Sequence, residues 1–197
     1  MVNRRTVLQG GIAVTSLPIV ANVAWGAVPE PPLAFYKIIF DERFDASRRF
    51  GAEAQRMGAP VHAIQGDITQ LWYDDLYARW RNGAAPIAGL TAHGALFCLE
   101  RLAWDAGMRV IYRADHKPGV DGSIQHSAQG PAEMLRAASG LRDAQDWSCY
   151  AASVVLGCPA VVPGKKKRQV FADASTAVDE EGQALISWVI APLGKNA

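Results

Sequence analysis

This chain has few chemical signatures. No glycine-rich dinucleotide fingerprint follows its first apolar strand-like run, where Asp41-Glu42-Arg43-Phe44 stands instead. It has no phosphate loop of the Gly-Lys-Ser type, no nucleophile elbow and no zinc-protease helix motif. It also lacks a Cys-x-x-Cys-His haem site. No two of its cysteines, Cys98, Cys149 and Cys158, are spaced as in a zinc or redox motif. No metal site is therefore expected, and the cofactor is unknown. Cys149 and Cys158 lie nine positions apart. That span is about 30 Å on a strand and about 13 Å on a helix, beyond the roughly 7 Å reach of a disulfide. Cys98 lies in an apolar helical run and is expected as a small core residue.

An excess of either charge is also missing. Twenty basic residues face 19 acidic ones, a formal net charge of +1. Nucleic acid or an anionic membrane surface as partner would call for a basic face, so neither is expected. The one basic run, Lys165 to Arg168, follows Pro163-Gly164 and reads as a solvated turn. Long apolar stretches are absent too. The longest weakly apolar segment, Gly10 to Ala24, contains Pro18 and falls short of the roughly 20 residues a spanning helix needs.

That segment has another reading. Arg4 and Arg5 precede it, and Val7-Leu8 follow after one spacer. The pattern Asn3-Arg4-Arg5-Thr6-Val7-Leu8-Gln9 resembles the twin-arginine export consensus, with Asn3 and Val7 as departures from its usual residues. Ala24 and Gly26 suit positions −3 and −1 of a cleavage site. The resemblance implies export of an already folded domain to the periplasm, with the twin-arginine machinery as a partner. On this reading residues 1–26 are a signal peptide, 27–33 a linker and 34–197 a single domain. Without Arg4 and Arg5, 18 basic residues face 19 acidic ones, a net charge of −1.

The remaining length suits one domain with an ordinary core. Ala34–Phe40 reads as a strand, and Asp45 to Met57 as an amphipathic helix stopped by Gly58. Val61–Ile64 is a second strand, followed by an Asp67/Gln70 capping pair and a helix from Ile68 to about Arg81. Pro86–Leu90 gives a third strand, with Thr91 as cap of an apolar helix from Ala92 to Ala106. Arg109–Arg113 is a fourth strand. Alternation of this kind predicts right-handed crossovers and a mainly parallel sheet. The expected fold is therefore α/β, a three-layer flavodoxin-like or Rossmann-like core. Beyond it, a long loop to Gly130, a short helix from Pro131 and a strand over Ser148–Leu156 are expected. Val170–Ala177 and Ala184–Ile190 read as a C-terminal β-hairpin.

Ligands of open α/β sheets bind beyond the carboxyl ends of the strands. The spacing places Asp41, Glu42, Arg43, Asp67, Thr91, His93, Arg113, Asp115 and His116 at those ends, with Asp121 and His126 on the long loop above them. As catalytic candidates we take Asp115, His116, His93 and Asp41. Asp115-His116 is the pair least explained by capping or core periodicity, and it could orient a general base or offer metal ligands. Arg43, Asp67, Thr91, Arg113 and His126 are candidate ligand-binding residues. His62, within the second strand, is expected to face a helix. The leading expectation is a non-catalytic exported protein, either a small-ligand binder or an accessory subunit docked to a protein partner. The alternative is a periplasmic hydrolase or isomerase using the Asp/His rim.

Overall fold

The computed structural model describes residues 31–119, 122–160, 167–172 and 183–193. The Arg4-Arg5 signal, Asp121 and residues 173–182 lie outside the described residues. The elements run β1 (Lys37–Asp41), α1 (Asp45–Arg56), β2 (Val61–Ile64), α2 (Thr69–Leu71), α3 (Tyr77–Arg81), β3 (Ile87–Ala92) and α4 (His93–Asp105). β4 (Met108–Pro118), β5 (Ile124–Gly130), α5 (Ala132–Ala138), α6 (Trp147–Leu156), β6 (Lys167–Ala172) and β7 (Leu185–Pro192) follow. A π-helical segment, Trp72–Leu76, joins α2 to α3, so the three run as one helix.

The seven strands form one sheet in the order β2-β1-β3-β7-β4-β5-β6. β1 pairs parallel with β2 and β3. The other four pairings are antiparallel. The sheet is mixed, which corrects the expectation of a mainly parallel one. The expected C-terminal hairpin is corrected as well. β6 lies at the sheet edge on β5, while β7 is inserted between β3 and β4. The physical reason is in the composition of β7. Its seven residues Leu185–Ala191 are all buried, and a strand buried on both faces belongs in the middle of a sheet.

Side chains of β1, β3 and β7 alternate between two apolar clusters. Ile38, Leu90 and Val189 pack with α1, α5 and α6, through residues such as Phe50, Leu135 and Val155. Ile39, Ile87 and Trp188 pack with α3 and α4, through Trp80, Leu96 and Leu99. β5 alternates buried and solvent-facing positions, with Ile124, His126 and Ala128 inside and Gln125 and Gln129 outside. Its outward face is open to water.

Two further expectations give way. The expected long loop is a hairpin: β4 runs on to Pro118, and Gly119 N donates to Ser123 O at 2.7 Å. The expected strand over Ser148–Leu156 is helix α6. Asp146 starts it, its carboxylate accepting from Ser148 N at 2.9 Å and Cys149 N at 3.2 Å. A short apolar run does not separate buried helix from buried strand by period alone, and the cap just upstream decides it. Helix phase also overturns the core placement of Cys98. Leu96, Leu99 and Ala103 face the sheet, which turns Cys98 outward. All three cysteines are free thiols.

Candidate functional site

The chain leaves β1 for β2 on one side and returns to β3 on the other, so the β1/β3 carboxyl ends form the switch point of this sheet. Asp41 ends β1 there and is fully buried. Its carboxylate holds Arg43 in a fork, Nε to Oδ1 at 2.9 Å and Nη2 to Oδ2 at 2.7 Å. Ser47 closes the crevice from α1. Its Oγ accepts from Asp41 N at 2.8 Å and donates to the Leu90 carbonyl at 2.5 Å. Gly66 has φ +83°, and a Cβ there would overlap the Arg43 guanidinium. The switch point is thus filled by its own ion pair.

An open crevice lies one strand over. A cavity of about 400 Å³ is bounded by Glu42, the end of β2 from His62 to Gln65, Asp67, Gln70 and Leu71. Gln65 Nε2 donates to Glu42 Oε1 at 2.7 Å. Asp67 Oδ1 accepts from Thr69 N at 2.9 Å and from its hydroxyl at 2.7 Å, which holds the Asp67 carboxyl below its ordinary range. The expected capping role thus sits with Asp67 and Thr69 rather than Gln70. Burial, with Lys37 nearby, lowers the His62 pKa, so at neutral pH the ring is an uncharged donor and acceptor. Among the described residues, no lysine or arginine lines this space.

The third setting is interior. His116 and His126 stand directly opposite each other on β4 and β5. Their Nδ1 atoms are 2.6 Å apart, and His116 Nε2 is 2.9 Å from Ser187 Oγ on β7. The Trp147 indole lies 4.4 Å from the His116 ring, tilted by 32°. His116, His126 and Ser187 are each at most 1 % exposed. Burial and the neighbouring imidazole hold the His116 pKa well below its ordinary value, so it is neutral. A hydrogen bond between the two Nδ1 atoms requires that one of them carry a proton. If His116 carries it, its Nε2 accepts from the Ser187 hydroxyl. The order serine–imidazole–orienting group is that of an activated nucleophile, but a wholly buried Oγ in mid-strand leaves no room for a substrate carbonyl.

The predicted rim residues therefore fall into separate settings. Asp41 and Arg43 pair with each other, as do Arg113 and Asp115, with Nη2 to Oδ1 at 2.7 Å. Asp115 does not orient His116. Successive strand residues point to opposite faces, and His116 turns inward to His126 instead. His126 is a buried strand residue, not a loop residue above the rim. Thr91 is no helix cap. It is buried within β3, and its Oγ1 accepts from Trp188 Nε1 at 3.0 Å. His93 is the exposed first residue of α4, with its ring 6.2 Å from that of Phe97. Glu42 and Asp67 line the cavity.

Sequence reading missed Ser187, Trp147 and the polar wall of His62, Gln65 and Gln70. A lone serine inside the uniformly apolar run of β7 was the available signal for Ser187. Among the described residues, no three or more His, Cys, Asp or Glu side chains gather to hold a metal ion, and no helix is long and apolar enough to cross a membrane. No family model matches the chain, and comparison with curated proteins and with solved structures gives no significant match.

Proposed function

We propose that this chain is an exported, periplasmic, non-catalytic protein that binds a small ligand in the cavity beside β2. The observation that carries the reading is the cavity itself. Its volume falls in the range of small-molecule sites, and it reaches from the flank of edge strand β2 to Glu42, Gln65 and Asp67 just past the carboxyl ends of β1 and β2, the side on which α/β folds place ligands. We read the half from β1 to α4 as the Rossmann-like, three-layer part of the fold. The lining favours a ligand rich in hydrogen-bond donors. Glu42 and Asp67 supply carboxylates, Gln65 and Gln70 amides, and His62 a neutral imidazole. Amines, amino sugars and polyols fit that chemistry. The side chains of the hydrolase or isomerase alternative, Asp41, His93, Asp115 and His116, stand in separate settings, which is why binding is preferred.

Calorimetry with a panel of such ligands tests the proposal. For the tightest cationic ligand, the double variant Glu42→Gln, Asp67→Asn should bind about tenfold more weakly, since each charged hydrogen bond contributes more than a neutral one. Asn remains a good capping residue, so Thr69 keeps its acceptor and stability should change by less than about 0.5 kcal/mol. No saturable heat from any member of the panel, or equal affinity in the variant, would sink the reading. Export rests on Arg4 and Arg5. Replacing both by lysine should leave the full chain in the cytoplasm on cell fractionation, and unchanged export would remove that part.

A further inference from the structure

Among the described side chains, the arginines fall into two groups by partner. Of the eleven between residues 31 and 160, seven hold a carboxylate within 4.0 Å. The other four, Arg79, Arg81, Arg101 and Arg109, have no carboxylate partner among the described residues. Each lies over an aromatic ring instead. Arg79 covers Tyr36 at 5.2 Å and Arg81 covers Tyr77 at 5.5 Å. Arg101 and Arg109 flank the Trp104 indole at 4.4 and 5.4 Å. All four belong to α3, α4 and the start of β4. Phe97 and Trp104 are 51 % and 43 % exposed along the outer side of α4. A groove of about 310 Å³ between α3 and α4 is lined by Trp72, Tyr77, Leu102, Arg81 and Asp105 among others.

A guanidinium over a ring is held in place; Arg81 Nη1 also donates to the Tyr77 hydroxyl at 3.0 Å and Arg109 Nη1 to the Met108 carbonyl at 2.7 Å, which leaves their remaining N–H groups to meet a carboxylate. Such groups meet carboxylates in bidentate fashion and cost little entropy to order, because the stack has already fixed them. Exposed aromatics interleaved with arginine are also the composition of protein interface centres. From this charge segregation we infer that the α3–α4 face docks a protein partner through a segment that alternates carboxylates with apolar side chains. The apolar groups enter the α3–α4 groove, and the carboxylates cap Arg81, Arg101 and Arg109. The near-neutral charge of the chain favours this occupant over a nucleic acid, whose phosphates need a broad basic surface. The inference is independent of the cavity beside β2.

The test uses the purified full chain and a synthetic peptide of about 16 residues rich in glutamate and leucine, followed by tryptophan fluorescence and titration calorimetry. Saturable binding that weakens with salt is expected. The double variant Arg101→Glu, Arg109→Glu should lower affinity at least about tenfold. Reversing two carboxylate-paired arginines on α1, Arg48→Glu and Arg56→Glu, should change it less than about twofold. Trp104→Ala should weaken binding without changing the far-ultraviolet circular dichroism. Equal loss from both arginine pairs would overturn the proposal, since the effect would then be one of net charge. So would tighter binding of an oligothymidylate of similar charge, which would make the face a nucleic-acid surface. Absence of saturable binding overturns it as well.

Discussion

Gly89→Ala is expected to be the most damaging small substitution in this protein, costing about 3 kcal/mol. Gly89 sits in β3 between Ile39 of β1 and Trp188 of β7. A Cβ there would overlap the Ile39 carbonyl oxygen and come within 2.9 Å of Trp188 Cζ2. The first obstacle is backbone in a hydrogen-bonded ladder, so no rotamer change relieves it. Either β1 moves away from β3, breaking their parallel pairing, or β3 bends and disturbs β7 as well. For a domain of this size, about 3 kcal/mol corresponds to a Tm lowered by roughly 6–12 °C. Gly94→Ala, five positions on, is the control. Nothing lies within 4 Å of a Cβ at Gly94, and in the first turn of α4 alanine is the better helix former. It should be neutral or slightly stabilising. Urea denaturation of both variants at constant slope decides the matter, and midpoints that agree would show that the β1–β3 contact is looser than described.

The parallel half of the fold was legible because each of its elements declares itself locally. Val61–Ile64 is where the pattern places it, and α1 and α4 fall within a residue or two of their expected ends. The antiparallel half was hidden by long-range choices. Nothing between Ser148 and Leu156 states a period, and only the Asp146 cap identifies α6 as a helix. β7 reads as an ordinary strand, yet its uniform burial sends it to the centre of the sheet rather than to a hairpin with β6. The site was legible to the same extent. Asp67 and Glu42 could be placed at strand ends from spacing, and both line the cavity. His116 and His126 were visible as residues but not as partners. Their contact depends on β4 continuing to Pro118, past the point where its β-branched run ends.

That contact makes the stability of the protein depend on pH below neutrality. His116 titrates in the unfolded chain near its ordinary value of 6.5, but in the folded chain burial and then His126 hold its pKa well below that. The unfolded state therefore binds more protons as the pH falls through 6.5. A group with a depressed folded pKa contributes stability that is complete above the unfolded value and is lost as the pH drops below it. The slope approaches about 1.4 kcal/mol per pH unit for each proton taken up on unfolding. His62, lowered by burial and Lys37, adds in the same direction. The carboxyl groups held low by hydrogen bonds and ion pairs, Asp75 and Asp146 among them, begin to matter only as the pH nears their ordinary value of 3.8. Urea midpoints between about pH 7.5 and 5.5 therefore isolate the histidines. The double variant His116→Gln, His126→Gln removes the titration while leaving amides near Ser187. Its stability at pH 7.5 should fall by about 1–2 kcal/mol, the scale of imperfectly replaced buried hydrogen bonds, and its pH slope should flatten. His62→Gln should remove less of the slope. A flat profile in the parent protein, or the parent's slope in the double variant, would mean that the imidazole pair takes up its protons without opening the core. The pair lies where β5 joins β4 and, through Ser187, β7. Acid should therefore raise amide exchange in β5 and α6 before it does so in β1 and β3, which places the weakest seam of the fold within its antiparallel half.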